Sequence, residues 1–152
     1  EKAIEWYAIR ANLGGWSEEV YYSFLQIALL KIELNASLNE IQNLLLSTYE
    51  YRPQRAESLY HLAHLLRHNN KARLAYIYAN VAANIPLSKD ILFVDHSVYE
   101  WKAKEELAMS ANSVGNYQLC HDLCIELLFN PAVPEPNRKL LLDNLKLAKE
   151  HL

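Results

Sequence analysis

The sequence predicts an all-α chain of about eight helices, and three observations carry that prediction. Glycine is scarce, 3 residues in 152 or about 2%, against the roughly 7% of average usage, and strand-rich folds need more glycine for their turns. Leucine and alanine are abundant, at 27 and 17 residues, and both are strong helix formers. Apolar side chains recur at helical spacing along most of the chain, with short Gly, Pro or polar breaks between them.

Each break has a chemical reason. Ala3, Ile4, Tyr7, Ile9 and Ala11 set a first helix that Gly14 closes. Ser17-Glu18-Glu19 places an N-cap and two acids at the start of a second, which runs to about Leu34 through Val20, Phe24, Ile27, Ala28 and Leu30. Ser37-x-x-Glu40 is a capping box, and the third helix continues until Arg52-Pro53 stops it. A fourth helix is expected from about Gln54 to His68, turning at Asn69-Asn70 into a fifth that Pro86 closes. The apolar run Ile91-Leu92-Phe93-Val94 is too short for a helix and is expected as an extended connector tucked against the core. Asp95 or Ser97 then caps a sixth helix reaching Val114, Gly115-Asn116 turns it, and a seventh spans Tyr117 to Phe129. Pro131, Pro134 and Pro136 break the chain before a last helix from about Asn137 to His151.

Composition bounds the function. Fifteen basic and 18 acidic residues give a net charge of −3, the wrong sign for a nucleic-acid or anionic-membrane binder that works by bulk electrostatics. No apolar run approaches the roughly 18 residues of a membrane span, and the first residues lack the apolar core of a signal peptide. Cys120 and Cys124 sit four apart on one helix face, poor disulfide geometry, so reduced thiols and a cytoplasmic setting are expected.

Two stretches share one spacing. A Leu-small pair in a first helix is followed twelve residues on by a small residue, seven further by another position, and then by Pro: Leu62-Ala63, Ala75, Ala82, Pro86, and Leu107-Ala108, Cys120, Leu127, Pro131. Ile27-Ala28, Glu40, Ser47 and Pro53 form a weaker copy. The pattern resembles the tetratricopeptide repeat, which implies a right-handed solenoid of antiparallel helix hairpins. Residues 1–15 then read as a half-repeat, 16–53, 54–86 and 95–131 as hairpins, and 134–152 as a terminal helix, all in one domain. Small residues are needed where two helices of a hairpin approach closely. A chain that begins within a hairpin should leave an apolar face open, with Ile4 and Tyr7 on it, so a fragment of a longer protein is expected.

Gly14-Gly15-Trp16-Ser17-Glu18-Glu19, Tyr51-Arg52-Pro53-Gln54-Arg55-Ala56-Glu57, Arg67, Leu74-Ala75-Tyr76, Leu92-Phe93-Val94-Asp95 and Tyr99-Glu100-Trp101 carry a narrower resemblance. Over residues 1–130 the chain resembles the tetratricopeptide-like region that follows the catalytic domain in many bacterial family-2 glycosyltransferases. That implies a non-catalytic helper that binds a protein acceptor, positions the catalytic domain or mediates self-association through the open N-terminal end. A stand-alone peptide-binding adaptor and a carbohydrate-binding module are the alternatives. Sugar transfer within the chain is not expected, because no Asp-x-Asp metal motif or nucleotide-binding α/β pattern is present.

The repeat register directs one stripe of side chains to the concave face: Tyr22, Glu57, Tyr60, His64, Arg67, Lys102, Glu105 and Asn112, with Leu25, Leu29, His68 and Met109 among them. Tyr60, His64 and Arg67 combine an aromatic face, an imidazole and a fork of donors, which suits an extended polypeptide or an array of sugar hydroxyls. The partner expected is a protein or peptide, and no cofactor or metal is anticipated. His61, His64 and His68 offer a metal pair without a matching third ligand, so surface histidines are the plainer reading. Cys120 falls where the repeat needs a small residue, against a redox or metal role. Arg52, Arg55 and Glu57 read as a structural clamp or as a ligand-facing set, and Trp6, Trp16 and Trp101 as packing or as a sugar-stacking platform.

Overall fold

The computed structural model describes residues 1–152, which form eight α-helices and no strand. In chain order they are α1 (Lys2–Leu13), α2 (Ser17–Glu33), α3 (Leu38–Tyr51), α4 (Glu57–His68), α5 (Ala72–Asn84), α6 (Ala103–Ser113), α7 (Tyr117–Leu128) and α8 (Glu135–Glu150), with a π-helical turn, Val98–Lys102, leading into α6. Each helix packs on the next, and α4 also touches α6, as α6 does α8.

Three of the turns are built alike. Asn35, Asn70 and Gly115 each take a left-handed backbone, φ 55°, 58° and 80°. The amide that follows each one returns to a carbonyl five residues back, Ala36 to Lys31, Lys71 to Leu66 and Asn116 to Ala111. This closure satisfies the last carbonyls of α2, α4 and α6 and sends the chain back antiparallel. Ser37 accepts the Glu40 amide at 3.3 Å at the start of α3, and Asn116 does the same for Leu119 at the start of α7.

Most small residues of the spacing pattern lie in the interior, whereas Ser47 of the weaker copy is exposed. Ala28, Ala63, Ala75, Ala108 and Cys120 are fully buried and Ala82 is nearly so. Tyr21, Leu25, Leu45, Leu59, Leu62 and Leu66 fill the interior of the first half, and Trp101, Met109, Cys124, Leu127 and Leu141 that of the second. Ala63, Ala79 and Leu107 pack together between them. Ala63→Leu or Ala75→Leu should therefore force a helix crossing apart and cost about 1–3 kcal/mol. Urea unfolding of both variants checks this; unchanged midpoints in both would remove the packing role of these alanines.

Four expectations are corrected. Helix α4 begins at Glu57, not Gln54, because the Arg55 amide closes a turn onto the Arg52 carbonyl at 3.0 Å and the Ala56 amide donates to the Tyr99 hydroxyl at 3.0 Å. Helix α8 begins at Glu135, with Pro136 inside its first turn, where no intrahelical amide is required. Ser17 is the first residue of α2 and not its cap, since its hydroxyl accepts from Arg52 Nη1 at 2.8 Å. The connector of residues 91–94 leaves Ile91 76% and Phe93 53% exposed and is fastened through its backbone polar groups.

The open apolar face of α1 is also not the one anticipated. Ile4 and Tyr7 are half-buried, whereas Trp6, Ile9 and Leu13 are exposed at 71%, 52% and 75%. Trp16 is exposed as well, so Trp6 and Trp16 do not pack between hairpins, while Trp101 is buried. The reason is that α1 packs mainly on α2 and turns Tyr7, Arg10 and Ala11 toward it.

Candidate functional site

The buried starting point is Arg55, whose side chain is wholly enclosed. A guanidinium in that position must be paired at every nitrogen. Its Nε and Nη2 reach the Glu57 carboxylate at 2.8–3.1 Å, Nη1 reaches Asp90 Oδ2 at 3.2 Å, and the Leu92 and Phe93 carbonyls accept at 3.3 and 2.8 Å. The cation also lies 4.6 Å from the centre of the Tyr21 ring. Arg52 forks onto Asp90 through Nε at 2.6 Å and Nη2, and the Arg52 hydrogen bonds lead the effects that hold the Asp90 carboxyl below the usual range. Glu18 accepts the Ile91 and Leu92 amides at 3.0 and 2.8 Å. The Tyr99 hydroxyl donates to Glu57 Oε2 at 2.8 Å, and burial leads the causes that raise its pKa.

These bonds tie α2, α4, the connector and the start of α6 into one unit, which is the clamp reading of Arg52, Arg55 and Glu57. Glu57 is 1% exposed, so its expected place on the binding stripe is corrected: the Arg55 guanidinium and the Tyr99 hydroxyl consume its oxygens. Glu18, Asp90 and Tyr99 were not singled out by the sequence as partners of this clamp.

Two further members of the stripe, His64 and Arg67, meet where α4 faces α6. Glu106 is buried at 3% exposure and takes Arg67 Nε on Oε1 at 2.7 Å, Arg67 Nη2 on Oε2 at 3.0 Å and the Ser110 hydroxyl at 3.3 Å. His64 Nδ1 lies 3.0 Å from the same carboxylate. Burial alone would raise the Glu106 pKa, but the hydrogen bonds from His64 and Arg67 outweigh it and hold the group below its ordinary value. Sequence reading missed Glu106, although it carried a signal: the residue shares the buried stripe of Ala103, Leu107 and Ser110, where an acid has to be paired.

Tyr60 sits half-buried beside His61 and His64, with ring centroids 4.9 and 6.3 Å away. Burial, reinforced by the Glu106 and Glu105 charges, pushes its phenol up to about 12. His64 has a half-exposed side chain and lies 4.3 Å from the His68 ring. Lys102 Nζ is 3.1 Å from Asp95 Oδ2 and reaches over the Trp101 ring. Glu105 accepts from Asn137 at 2.8 Å, and burial raises its pKa. Asn112 donates to Asn144 at 3.0 Å, so both it and Glu105 serve to join α6 to α8. Tyr22 is set apart from this group, stacked on Phe93.

Arg67 is thus a structural cation as well as a surface one. Arg67→Ala should cost about 2–3 kcal/mol, since Glu106 would keep only His64 and Ser110 in a buried setting. Arg67→Lys recovers part of this. A thermal midpoint for Arg67→Ala equal to that of the wild type would contradict the pairing.

No group of three or more His, Cys, Asp or Glu side chains converges as a metal site. The Cys120 and Cys124 thiols are free, buried and 3.9 Å apart, one helical turn from each other. No helix is long and apolar enough to cross a membrane. No protein-family model, curated protein or solved structure matches the chain.

Proposed function

We propose that the chain is a non-catalytic interaction region, a right-handed solenoid of tetratricopeptide-like hairpins that serves a glycosyltransferase by binding its protein acceptor. The repeat reading is supported by the three turns closed in the same way after α2, α4 and α6, and by the buried alanines and cysteine at matching positions. The observation that carries the binding role is the α4–α6 face. There the Arg67–Glu106 pair fixes the floor, and Tyr60, His64, His68 and Lys102 keep part of their surface in water. Aromatic faces, imidazoles and an ammonium within two helical turns match the alternating backbone and side-chain groups of an extended polypeptide.

The test uses a glycosyltransferase that carries this region. Tyr60→Ala with His64→Ala leaves Arg67 in place to hold Glu106 but trims packing on the core and one partner of that carboxylate, so the variant should melt below the wild type and still be folded at the assay temperature. Acceptor-protein glycosylation should fall while hydrolysis of the nucleotide-sugar donor continues unchanged. Equal acceptor modification by the variant and the wild type would exclude the α4–α6 face as the docking surface.

A further inference from the structure

On the other side of the clamp, Tyr7 and Arg10 of α1, Glu19, Tyr22 and Ser23 of α2 and Phe93 of the connector line an open cavity of about 420 Å³. That volume is in the range of small-molecule sites. Phe93 lies flat on Tyr22, with centroids 4.3 Å apart and planes 20° from parallel, and Tyr7 meets Tyr22 edge-on at 6.2 Å.

The position of Phe93 is costly in two ways. Its φ of 54° is in the left-handed region, which a bulky side chain avoids. The residue also stays 53% exposed, so burial offsets that strain only in part. The backbone is held there by Arg55, which binds the carbonyls of Leu92 and Phe93 from below. A fully enclosed arginine thus fixes an aromatic ring whose one face rests on Tyr22 and whose other face meets solvent.

We propose that this cavity binds a neutral saccharide, with the outer face of Phe93 against the apolar face of a pyranose ring and the polar rim taking its hydroxyls. Charge selects a neutral ligand: Arg10 and Glu19 pair with each other, so neither an anion nor a cation finds an unmatched partner. The rim supplies hydroxyl chemistry. The Tyr7 and Tyr22 hydroxyls have no protein partner, and Arg10 engages one oxygen of Glu19, Oε2, leaving Oε1 to accept. Ring geometry disfavours a proline-rich segment, which docks between aromatic ridges. Tyr22 and Phe93 are in face contact and leave no slot between them, so a single platform remains. This inference concerns a different face from the α4–α6 stripe and does not rest on the acceptor-binding reading.

Saturation-transfer NMR with the methyl glycosides of glucose, galactose, mannose, N-acetylglucosamine and N-acetylgalactosamine, each at millimolar concentration, tests the proposal on the chain itself. At least one should receive transfer at its ring protons from the wild type. Phe93→Gly should abolish that transfer while staying folded, because glycine accepts the left-handed backbone without strain and so offsets part of the lost Tyr22 stacking. Tyr7→Phe with Tyr22→Phe keeps every ring and should weaken binding roughly tenfold through loss of two hydrogen bonds. The proposal is overturned if no glycoside receives transfer from the wild type or if transfer survives in Phe93→Gly. It is equally overturned if a polyproline decapeptide binds in a Phe93-dependent way and no saccharide does.

Discussion

Arg55→Met is expected to lower stability by about 3–5 kcal/mol, the largest effect of any single substitution considered for this chain. The size follows from what is left behind. Glu57 and Asp90 are 1% and 7% exposed at the side chain and would keep their charges with fewer partners, and the Leu92 and Phe93 carbonyls would lose a donor. An unpaired buried carboxylate costs more than the pair contributes when intact, because desolvation is no longer offset. Arg55→Lys should recover only a minor part, since one ammonium cannot reach four acceptors on two elements. In Arg55→Met/Glu57→Met the penalty should be smaller than for Arg55→Met alone, as one of the stranded charges goes with its partner. Urea unfolding of the four chains at neutral pH measures all of this, with the slope of the transition checked for constancy. If Arg55→Met costs under about 1 kcal/mol, the range of an exposed ion pair, the clamp does not hold the connector. The same variant should also free Phe93 from its left-handed backbone, so loss of stability and loss of the aromatic platform are expected together.

Local signals were legible in the sequence and long-range polar partners were not. Ser37, Gly14 and Gly115-Asn116 marked helix ends correctly because capping is a contest between groups a few residues apart, visible in any short window. Ala63 and Ala75, where the spacing asks for small side chains, are both fully buried. Asp90 and Glu106, by contrast, meet their arginines 35–39 residues away in sequence, and no local rule connects them. Pro136 misled because proline breaks a helix interior yet suits a first turn, and only the position of the start tells the two apart. Phe93 misled in another way: an apolar run suggests burial, whereas its backbone carbonyl is the part that is anchored. The Phe93 failure occurs at the connector, where tertiary polar contacts override the apolar pattern.

Acidification from pH 7 down through the carboxylate range is expected to destabilise the chain in two stages with different owners. The first belongs to His61, on α4 beside Tyr60. Burial, helped by the His64 and Lys102 charges and opposed by Asp95 and Glu57, pushes its pKa down to about 4. In the unfolded chain the ring protonates near the ordinary value of about 6.5. The folded state therefore binds fewer protons than the unfolded state between those values, and stability falls as pH falls, by up to about 1.4 kcal/mol per pH unit. Solvent still reaches part of the ring, so the total should be nearer about 2 kcal/mol than the full linkage value of about 3. From the unfolded carboxylate value upward Glu105 acts in the opposite sense, since burial raises its pKa and makes the folded state take up its proton first. The second stage belongs to Asp90 and Glu106, both held below their ordinary values when folded. Their contribution is complete above the unfolded carboxylate range and is lost as pH drops through their depressed folded values. His61→Phe separates the stages. Its unfolding free energy should be nearly flat between pH 7 and 5, where the wild type slopes downward, and it should then fall with the wild type in the acid region. Parallel curves for the two proteins from pH 7 to 5 would assign the first stage to another histidine and remove His61 from the account.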